Sequence, residues 1–351
     1  MTFAYLVILF ISAFLFSIIG TVFLVYLLPK LKLMDAPIER SNHSVPVPRG
    51  GGIAVIFAAC GFLLVAGAAH QVVLATLFLA CVSFFDDLKG LSARTRLIAQ
   101  ALAVFYGISH MPEFTLSGGI VPHVLELALL GIVWIWFINL YNFMDGIDGI
   151  TVMQTISIAL GIFALGMVHS HVSMGMMGDS TIIIAAALGF GLFNWHPARI
   201  FLGDVGSVAL GYLMGYMLLL LVAKGHWEAA LILPAYYLFD ATFTLTRRLA
   251  TGKNILQGHS EHYYQQAVRS GAPHDLVVRQ IALLNVGLIL LAAASTLNHT
   301  VGIAALAIAY LLAFLLTRQF RSGQVQIMPP SVAHKNAKPA RDNTRLIPDI
   351  S

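Results

Sequence analysis

Charge is what this chain has least of. Only 10% of its 351 residues are Asp, Glu, Lys or Arg, where a soluble domain carries about 25%. That deficit excludes an ordinary hydrated surface around an ordinary core. Cysteine is also scarce. Cys60 and Cys81 are the only two, both inside apolar stretches, so no disulfide framework exists and each reads as a small packing residue. No internal repeat is visible. The net charge of +4 calls for no nucleic-acid partner; it suits anionic lipid head groups and acidic substrates. In place of charge stand apolar residues, 58% of the chain, in runs of roughly 20, the length that spans the hydrocarbon core of a bilayer as a helix. The fold class that follows is an all-α polytopic membrane protein embedded in a lipid bilayer.

About eleven transmembrane helices are predicted, over 3–28, 50–68, 70–85, 96–110, 122–140, 151–168, 180–195, 205–223, 228–247, 279–296 and 299–317. The stretch 2–28 has no basic residue ahead of it and no small-residue cleavage site, so it reads as a retained span rather than a secretion signal. When successive loops are assigned to alternate sides, Lys224 alone of the 20 Lys and Arg falls opposite the rest. The positive-inside rule then places the N-terminus outside, in the periplasm, and the C-terminus in the cytoplasm. Residues 1–320 form the transmembrane unit, with its polar loops on the cytoplasmic side. Residues 321–351 form a polar tail, expected to be disordered.

The polar chemistry collects in five loops on that basic side. The first runs from Asp35 through Arg40, His43 and Arg49 to Gly50-Gly51-Gly52; its basic residues suit phosphate, its glycines suit close backbone approach, and a flexible entry to the second span is the alternative. The second begins at Asp86-Asp87, followed by Lys89. Two carboxylates at the end of an apolar span suit a hard cation such as Mg²⁺, or else mark a hydrated turn. The third holds Asn139, Asn142, Asp145 and Asp148, with a glycine after each aspartate and no Lys or Arg to compensate. Asn139 and Asn142 are one turn apart and share a helix face. The fourth holds Asn194, Arg199, Asp204 and Ser207. A helix starting at Asp204 offers free N–H groups to an anion, and Ser207 serves equally as a cap. The fifth has Arg247-Arg248, then His259 and His262. These two histidines are too few for zinc and suit phosphate contact or an amphipathic surface. Asp240, two turns inside the ninth span, is a functional candidate by its position, with a salt bridge to Arg247 as the competing reading.

The set Pro48-Arg49-Gly50-Gly51-Gly52, Asp86-Asp87, Asn139-x-x-Asn142-Phe-Met-Asp145-Gly-Ile-Asp148-Gly149, Phe201-Leu-Gly-Asp204-Val-Gly-Ser207 and His259-x-x-His262 resembles the polyprenyl-phosphate N-acetylhexosamine-1-phosphate transferases, over roughly residues 20–318. The run from Arg40 to Gly52 looks most like the branch that initiates O-antigen. Three adjacent histidines, usual in the enzyme that makes the first peptidoglycan lipid, are here His259-Ser-Glu-His262, which argues against a pentapeptide-bearing substrate. The resemblance implies a multi-pass enzyme of the bacterial inner membrane with its active site facing the cytoplasm. Its reaction is transfer of a FucNAc-, QuiNAc- or GlcNAc-type sugar-1-phosphate from a UDP-N-acetylhexosamine to undecaprenyl phosphate, releasing UMP, in O-antigen or related lipopolysaccharide synthesis. It further implies Mg²⁺, with Mn²⁺ as substitute, on Asn142 and Asp204. Catalytic roles fall to Asp86, Asp87, Asp145, Asp148, His259 and His262. Substrate contacts fall to Arg49, Gly51, Lys89, Asn139, Asn194, Arg199 and Ser207. A homodimer is compatible with all of this, and oligomeric state stays open. The rival function is a transporter of nucleotide-sugar or lipid-linked sugar. It is disfavoured because transporters keep polar residues near the midplane and repeat their halves.

Overall fold

The computed structural model describes residues 2–37, 45–112, 114–116, 118–169, 174–254 and 259–323; Arg40 and His43 of the first loop and the tail from 324 onward lie outside the described residues. Of the described residues, 76% are helical. In chain order the helices are α1 (Phe3–Lys30), α2 (Gly52–Val65), α3 (His70–Lys89), α4 (Ala93–Ile108), α5 (His123–Phe143), α6 (Ile150–Val168), α7 (Met174–Asn194), α8 (Asp204–Ala223), α9 (Trp227–Ile232), α10 (Ala235–Ala250), α11 (Tyr263–Arg269), α12 (His274–Ser295) and α13 (His299–Arg321). Two short antiparallel strands, β1 (Met34–Asp35) and β2 (Val47–Pro48), lie between α1 and α2.

Local signals account for the ends of these helices. Thr2, Ser92 and Asn298 cap α1, α4 and α13 by accepting the N–H of Tyr5, Thr95 and Val301. Gly90 ends α3 in the left-handed conformation. The ninth expected span is two helices, because Pro234 has no N–H to continue the ladder and α9 stops just before it. A helix overlaps each of the expected spans, and eight among the described residues are long and apolar enough to cross a bilayer by length and composition. The helices α2, α4 and α10 are shorter, at 14, 16 and 16 residues, and α9 has only 6.

The outer helices α1, α12 and α13 expose large apolar side chains, among them Ile19, Phe23, Leu283, Leu290 and Leu311. Such a surface is stable only against lipid or protein, and this is a multi-pass membrane protein. The middle of the bundle is α8, of which 89% is buried in its apolar window; it packs against α3 and α5, while α7 packs against α1 and α6. Trp134 of α5 donates its indole N–H to the Tyr212 carbonyl of α8 at 3.1 Å, and the two rings stack at 4.6 Å.

At one end of the bundle the loops that sequence reading grouped together are joined by backbone bonds. Phe201 N–H donates to Pro48 O at 2.8 Å, Gly51 N–H to Phe201 O at 2.8 Å, and Gly52 N–H to Leu202 O at 2.8 Å. Gly51 and Gly52 are therefore needed for packing against protein. A Cβ on Gly51 would meet the Phe190 ring at 2.5 Å, and one on Gly52 the Gly206 Cα at 2.3 Å.

Candidate active site

The site is built around the start of α8. Gly203 precedes it with φ +74°, and a Cβ there would lie 3.0 Å from Asp87 Oδ2, so only glycine brings the chain this close to the carboxylate. Asp204 occupies the first turn of α8, and the Val205 N–H donates to Asp87 Oδ2 at 3.2 Å. An acidic side chain is thus held on the positive end of the most central helix.

Arg49, at the end of β2, reaches over both. Its Nη2 lies 2.7 Å from Asp204 Oδ1 and 2.9 Å from Asp87 Oδ1, with Asp35 at 3.8 Å from Nη1. Burial alone would lower the guanidinium pKa, but Asp204, Asp87, Asp35 and Asp145 together raise it, so it stays charged. Asp145, in the turn between α5 and α6, is pushed up to about 7, first by burial, with repulsion from Asp204 and Asp87 adding to it; a hydrogen bond from Thr151 and the charge of Arg49 act in opposition. The cation that the third loop lacks in sequence is therefore supplied by the first. Beside this group, Asn142 Nδ2 donates to Ser207 Oγ at 2.8 Å, and Ser207 Oγ in turn donates to Gly203 O at 3.2 Å.

The tandem aspartates part company. Asp87 faces Arg49 and α8, while Asp86 turns to the α3–α4 corner, where Leu91 N–H donates to its Oδ1 at 2.5 Å and Arg96 pairs with its Oδ2 at 3.3 Å. Lys89 follows in the last turn of α3 and is exposed. Asp148 also faces away from the Arg49 cluster. Its Oδ2 accepts from His196 Nδ1 at 2.6 Å and Ala198 N–H at 3.1 Å, and lies 3.3 Å from His274 Nδ1. Burial by itself would raise this carboxyl, but the bonds from His274 and His196 prevail and hold it below the usual carboxylate range.

Two of the expected substrate amides are occupied within the protein. Asn194 accepts the Gly149 N–H at 3.0 Å and donates to Ile200 O at 3.0 Å, bracing the third loop against the fourth. Asn139 donates to Gln100 Oε1 at 2.7 Å and Ile135 O at 2.8 Å. Arg199 lies over the Phe193 ring at 4.7 Å and donates to Leu192 O at 3.1 Å.

The fifth loop is anchored by Asp240, which is fully buried in α10. Its carboxylate accepts from the Tyr236 and Thr244 hydroxyls at 3.0 and 3.2 Å and from the Tyr263 and Tyr264 N–H groups at 3.0 and 3.2 Å; His262 Nδ1 lies 3.3 Å away. The salt bridge to Arg247 expected as the competitor is not its arrangement. Arg247, Arg248 and Lys253 gather on Glu261 instead. Tyr264 continues the link by donating to Phe143 O at 3.0 Å, next to the third loop. His259 is pushed down to about 4, by burial first and by His262 and Arg248 next. It is neutral near pH 7 and offers a hydrogen bond. Sequence reading missed His196, His274 and Gln100 as partners of the loop residues. No local pattern marks them: His274 meets Asp148 across 126 residues.

The donor set fits a hard divalent cation. Asp87, Asp145 and Asp204 surround one arginine, so negative charge is in excess. Asp87 Oδ1 is fully buried, meets Arg49 only as an ion contact, and receives no hydrogen bond among the described residues. Carboxylate and amide oxygens are what Mg²⁺ takes.

A family model described as "Glycosyl transferase family 4" matches residues 69–222. The chain is 28% identical over 272 residues to a Bacillus subtilis protein named "Probable undecaprenyl-phosphate N-acetylglucosaminyl 1-phosphate transferase", covering 73% of this chain and 75% of that one. It is 28% identical over 304 residues to the decaprenyl-phosphate N-acetylglucosaminephosphotransferase of Mycolicibacterium smegmatis, covering 74% of each. It is 27% identical over 223 residues to the phospho-N-acetylmuramoyl-pentapeptide-transferase of Streptococcus agalactiae, covering 56% of this chain and 65% of that one. The segment similar to glycosyl transferase family 4, residues 69–222, runs from the start of α3 to the last turn of α8 and contains Asp87, Asn142, Asp145 and Asp204.

Proposed function

We propose that this protein transfers an N-acetylhexosamine-1-phosphate from a UDP-sugar to undecaprenyl phosphate at the cytoplasmic face of the bacterial inner membrane, releasing UMP. The observation that carries the reading is the convergence of Asp87, Asp204, Asp145 and Arg49, from four separate stretches of the chain, on the start of α8. A second feature supports a lipid acceptor. An apolar cavity of about 370 Å³ lies between α5, α8, α9 and α10, lined by Leu130, Trp134, Leu218, Leu231 and Leu238 among others. It lies along the parts of α5 and α8 farther from the Asn142–Ser207 pair and gives isoprenoid carbons an apolar berth.

In this scheme an oxygen of the lipid phosphate attacks the sugar-bearing phosphorus. The bond to the UMP phosphate breaks, and UMP leaves with the electron pair. The sugar C–O bond stays intact, so anomeric configuration is kept. Phosphoryl transfer is mainly positioning and charge stabilisation. Arg49 donates to phosphate oxygens and holds the Asp87 and Asp204 loops at a common distance. Ser207 and Asn142 orient polar atoms at the head of α8. The lipid phosphate, with a second pKa of about 6, is mostly deprotonated near neutrality and needs no strong base, which leaves Asp86 and Asp87 to position and to ligate. Mg²⁺, bound by Asp204 and Asn142 with Asp87 beside them, would neutralise the diphosphate and polarise its phosphoryl oxygens. The sugar is of the FucNAc, QuiNAc or GlcNAc type and the product feeds O-antigen or related surface polysaccharide.

The test is release of radiolabelled UMP by purified protein, with a panel of UDP-N-acetylhexosamines. Release that requires both polyprenyl phosphate and Mg²⁺ is the expected result. Release that ignores the lipid phosphate, or a product with inverted anomeric configuration, would overturn it.

A further inference from the structure

Asp148 is only three residues from Asp145, yet it belongs to a different group of side chains. Its Oδ2 lies 2.6 Å from His196 Nδ1 and 3.3 Å from His274 Nδ1, and one donor atom from each of the three residues lies within 4.8 Å of the others. Three stretches of chain meet here: the α5–α6 turn, the loop between α7 and α8, and the first residue of α12. Asp148 and His274 are buried, while 37% of the His196 side chain is exposed, which leaves one side open to solvent.

A plain hydrogen-bonded triad leaves one contact unresolved. The Asp148 backbone N–H points at His274 Nδ1 from 3.3 Å, and the same Nδ1 faces Asp148 Oδ2 at 3.3 Å. If Nδ1 carries a proton it suits the carboxylate but meets the N–H; if it is bare it suits the N–H but turns a lone pair toward the carboxylate oxygen. A cation taking that lone pair removes the repulsion from the carboxylate and gives up only the N–H contact, which is already long at 3.3 Å.

We propose that Asp148, His196 and His274 form a transition-metal site, distinct from the oxygen-ligand site at Asp204, that takes Zn²⁺, Co²⁺ or Ni²⁺. Two imidazoles and one carboxylate suit these borderline ions, whereas Mg²⁺ prefers oxygen. Tetrahedral bonds of 2.0–2.1 Å set ligand atoms about 3.3 Å apart. The Asp148–His274 edge already has that length, and the Asp148–His196 edge must lengthen from 2.6 Å, at the least enclosed of the three residues. The Ala198 N–H on the same carboxylate oxygen is the kind of outer bond that orients a ligating carboxylate. Three protein ligands leave a further position open. An ion there ties the turn carrying Asp145 to the loop leading into Asp204 and to α12. The inference stands on the donor atoms alone and not on the transferase reading.

The experiment uses full-length protein in detergent, stripped with chelator and titrated with Co²⁺ in excess Mg²⁺ and without nucleotide. A saturable visible absorption of about one equivalent, displaced by Zn²⁺, is expected. His274→Ala and His196→Ala should each weaken it at least about tenfold, while His259→Ala and Asp204→Asn leave it unchanged. Absence of a saturable signal in the unmodified protein, or its survival in both His196→Ala and His274→Ala, would overturn the site. If His274→Ala does not fold, His196→Ala still decides the matter, because Zn²⁺ should raise the unfolding temperature of the parent protein by binding the native state and not that of the variant. None of these readouts involves UMP release, so failure here is separable from failure of the proposed reaction.

Discussion

Arg49 and Asp204, 155 residues apart in sequence, are joined by a hydrogen bond of 2.7 Å between Nη2 and Oδ1. The same guanidinium nitrogen lies 2.9 Å from Asp87 Oδ1. One cation therefore sets the separation of two carboxylates from different helices, at the point where phosphate would enter. Arg49→Ala should lower UMP release by about 100-fold or more, the usual scale for removing one preorganised donor from an active site. Arg49→Lys should restore only a part, since an ammonium lacks the fork that serves two partners at once. Wild-type turnover in Arg49→Ala would remove this pair from the mechanism.

The two adjacent aspartates of α3 should separate by their Mg²⁺ dependence. Asp87 lies on Arg49 and α8, Asp86 on Leu91 and Arg96. In titrations of activity against Mg²⁺, Asp87→Asn and Asp204→Asn should raise the half-saturating concentration. Asp86→Asn should leave that concentration unchanged, whatever it does to turnover, because it loosens the α3–α4 corner. Equal shifts for both tandem aspartates would contradict the assignment.

Asp145 makes stability depend on pH in an unusual direction. Its carboxyl titrates at about 7 in the folded protein and near about 3.9 in an unfolded chain. Between those values the native state holds a proton that the unfolded chain releases, so raising pH removes stability across that window. Asp145→Asn should remove this component, leaving a flatter profile between about pH 4 and 7 in chemical unfolding followed in detergent. A variant profile parallel to the parent's would rule it out.

The crossing of α2 and α8 leaves no room for a side chain. A Cβ on Gly52 would stand 2.3 Å from Gly206 Cα and 2.4 Å from Gly206 N, both backbone atoms. Gly52→Ala should destabilise by about 1–3 kcal/mol or more, the cost of overpacking. It should also lower activity by moving Asp204, two residues before Gly206. Thermal unfolding and UMP release measured on the same preparation check both, and an unchanged melting temperature would refute the close approach.

Much of the fold was legible because a bilayer imposes a simple rule. A chain that must satisfy its backbone polar groups away from water forms helices, so runs without charge predict where helices lie. The broken ninth span was less legible, since Pro234 within an apolar run marks a break only when the ladder around it is seen. Loop chemistry was legible as a list of residues but not as an arrangement. Asp86 and Asp87 look equivalent in sequence, as do Asp145 and Asp148, and each pair divides between different partners. Asn194 and Asn139 read as ligand contacts, and the structure shows each also bonded within the protein.

Sequence alone therefore determined that this is a helical membrane protein whose acidic, amide and glycine-rich loops share one side, because hydropathy and charge are properties of short stretches. Only the tertiary structure decided which carboxylate faces Arg49, which faces two histidines and which anchors the fifth loop. Those choices depend on contacts across up to 155 residues, and a side chain's direction is set by the packing of helices that no local pattern records.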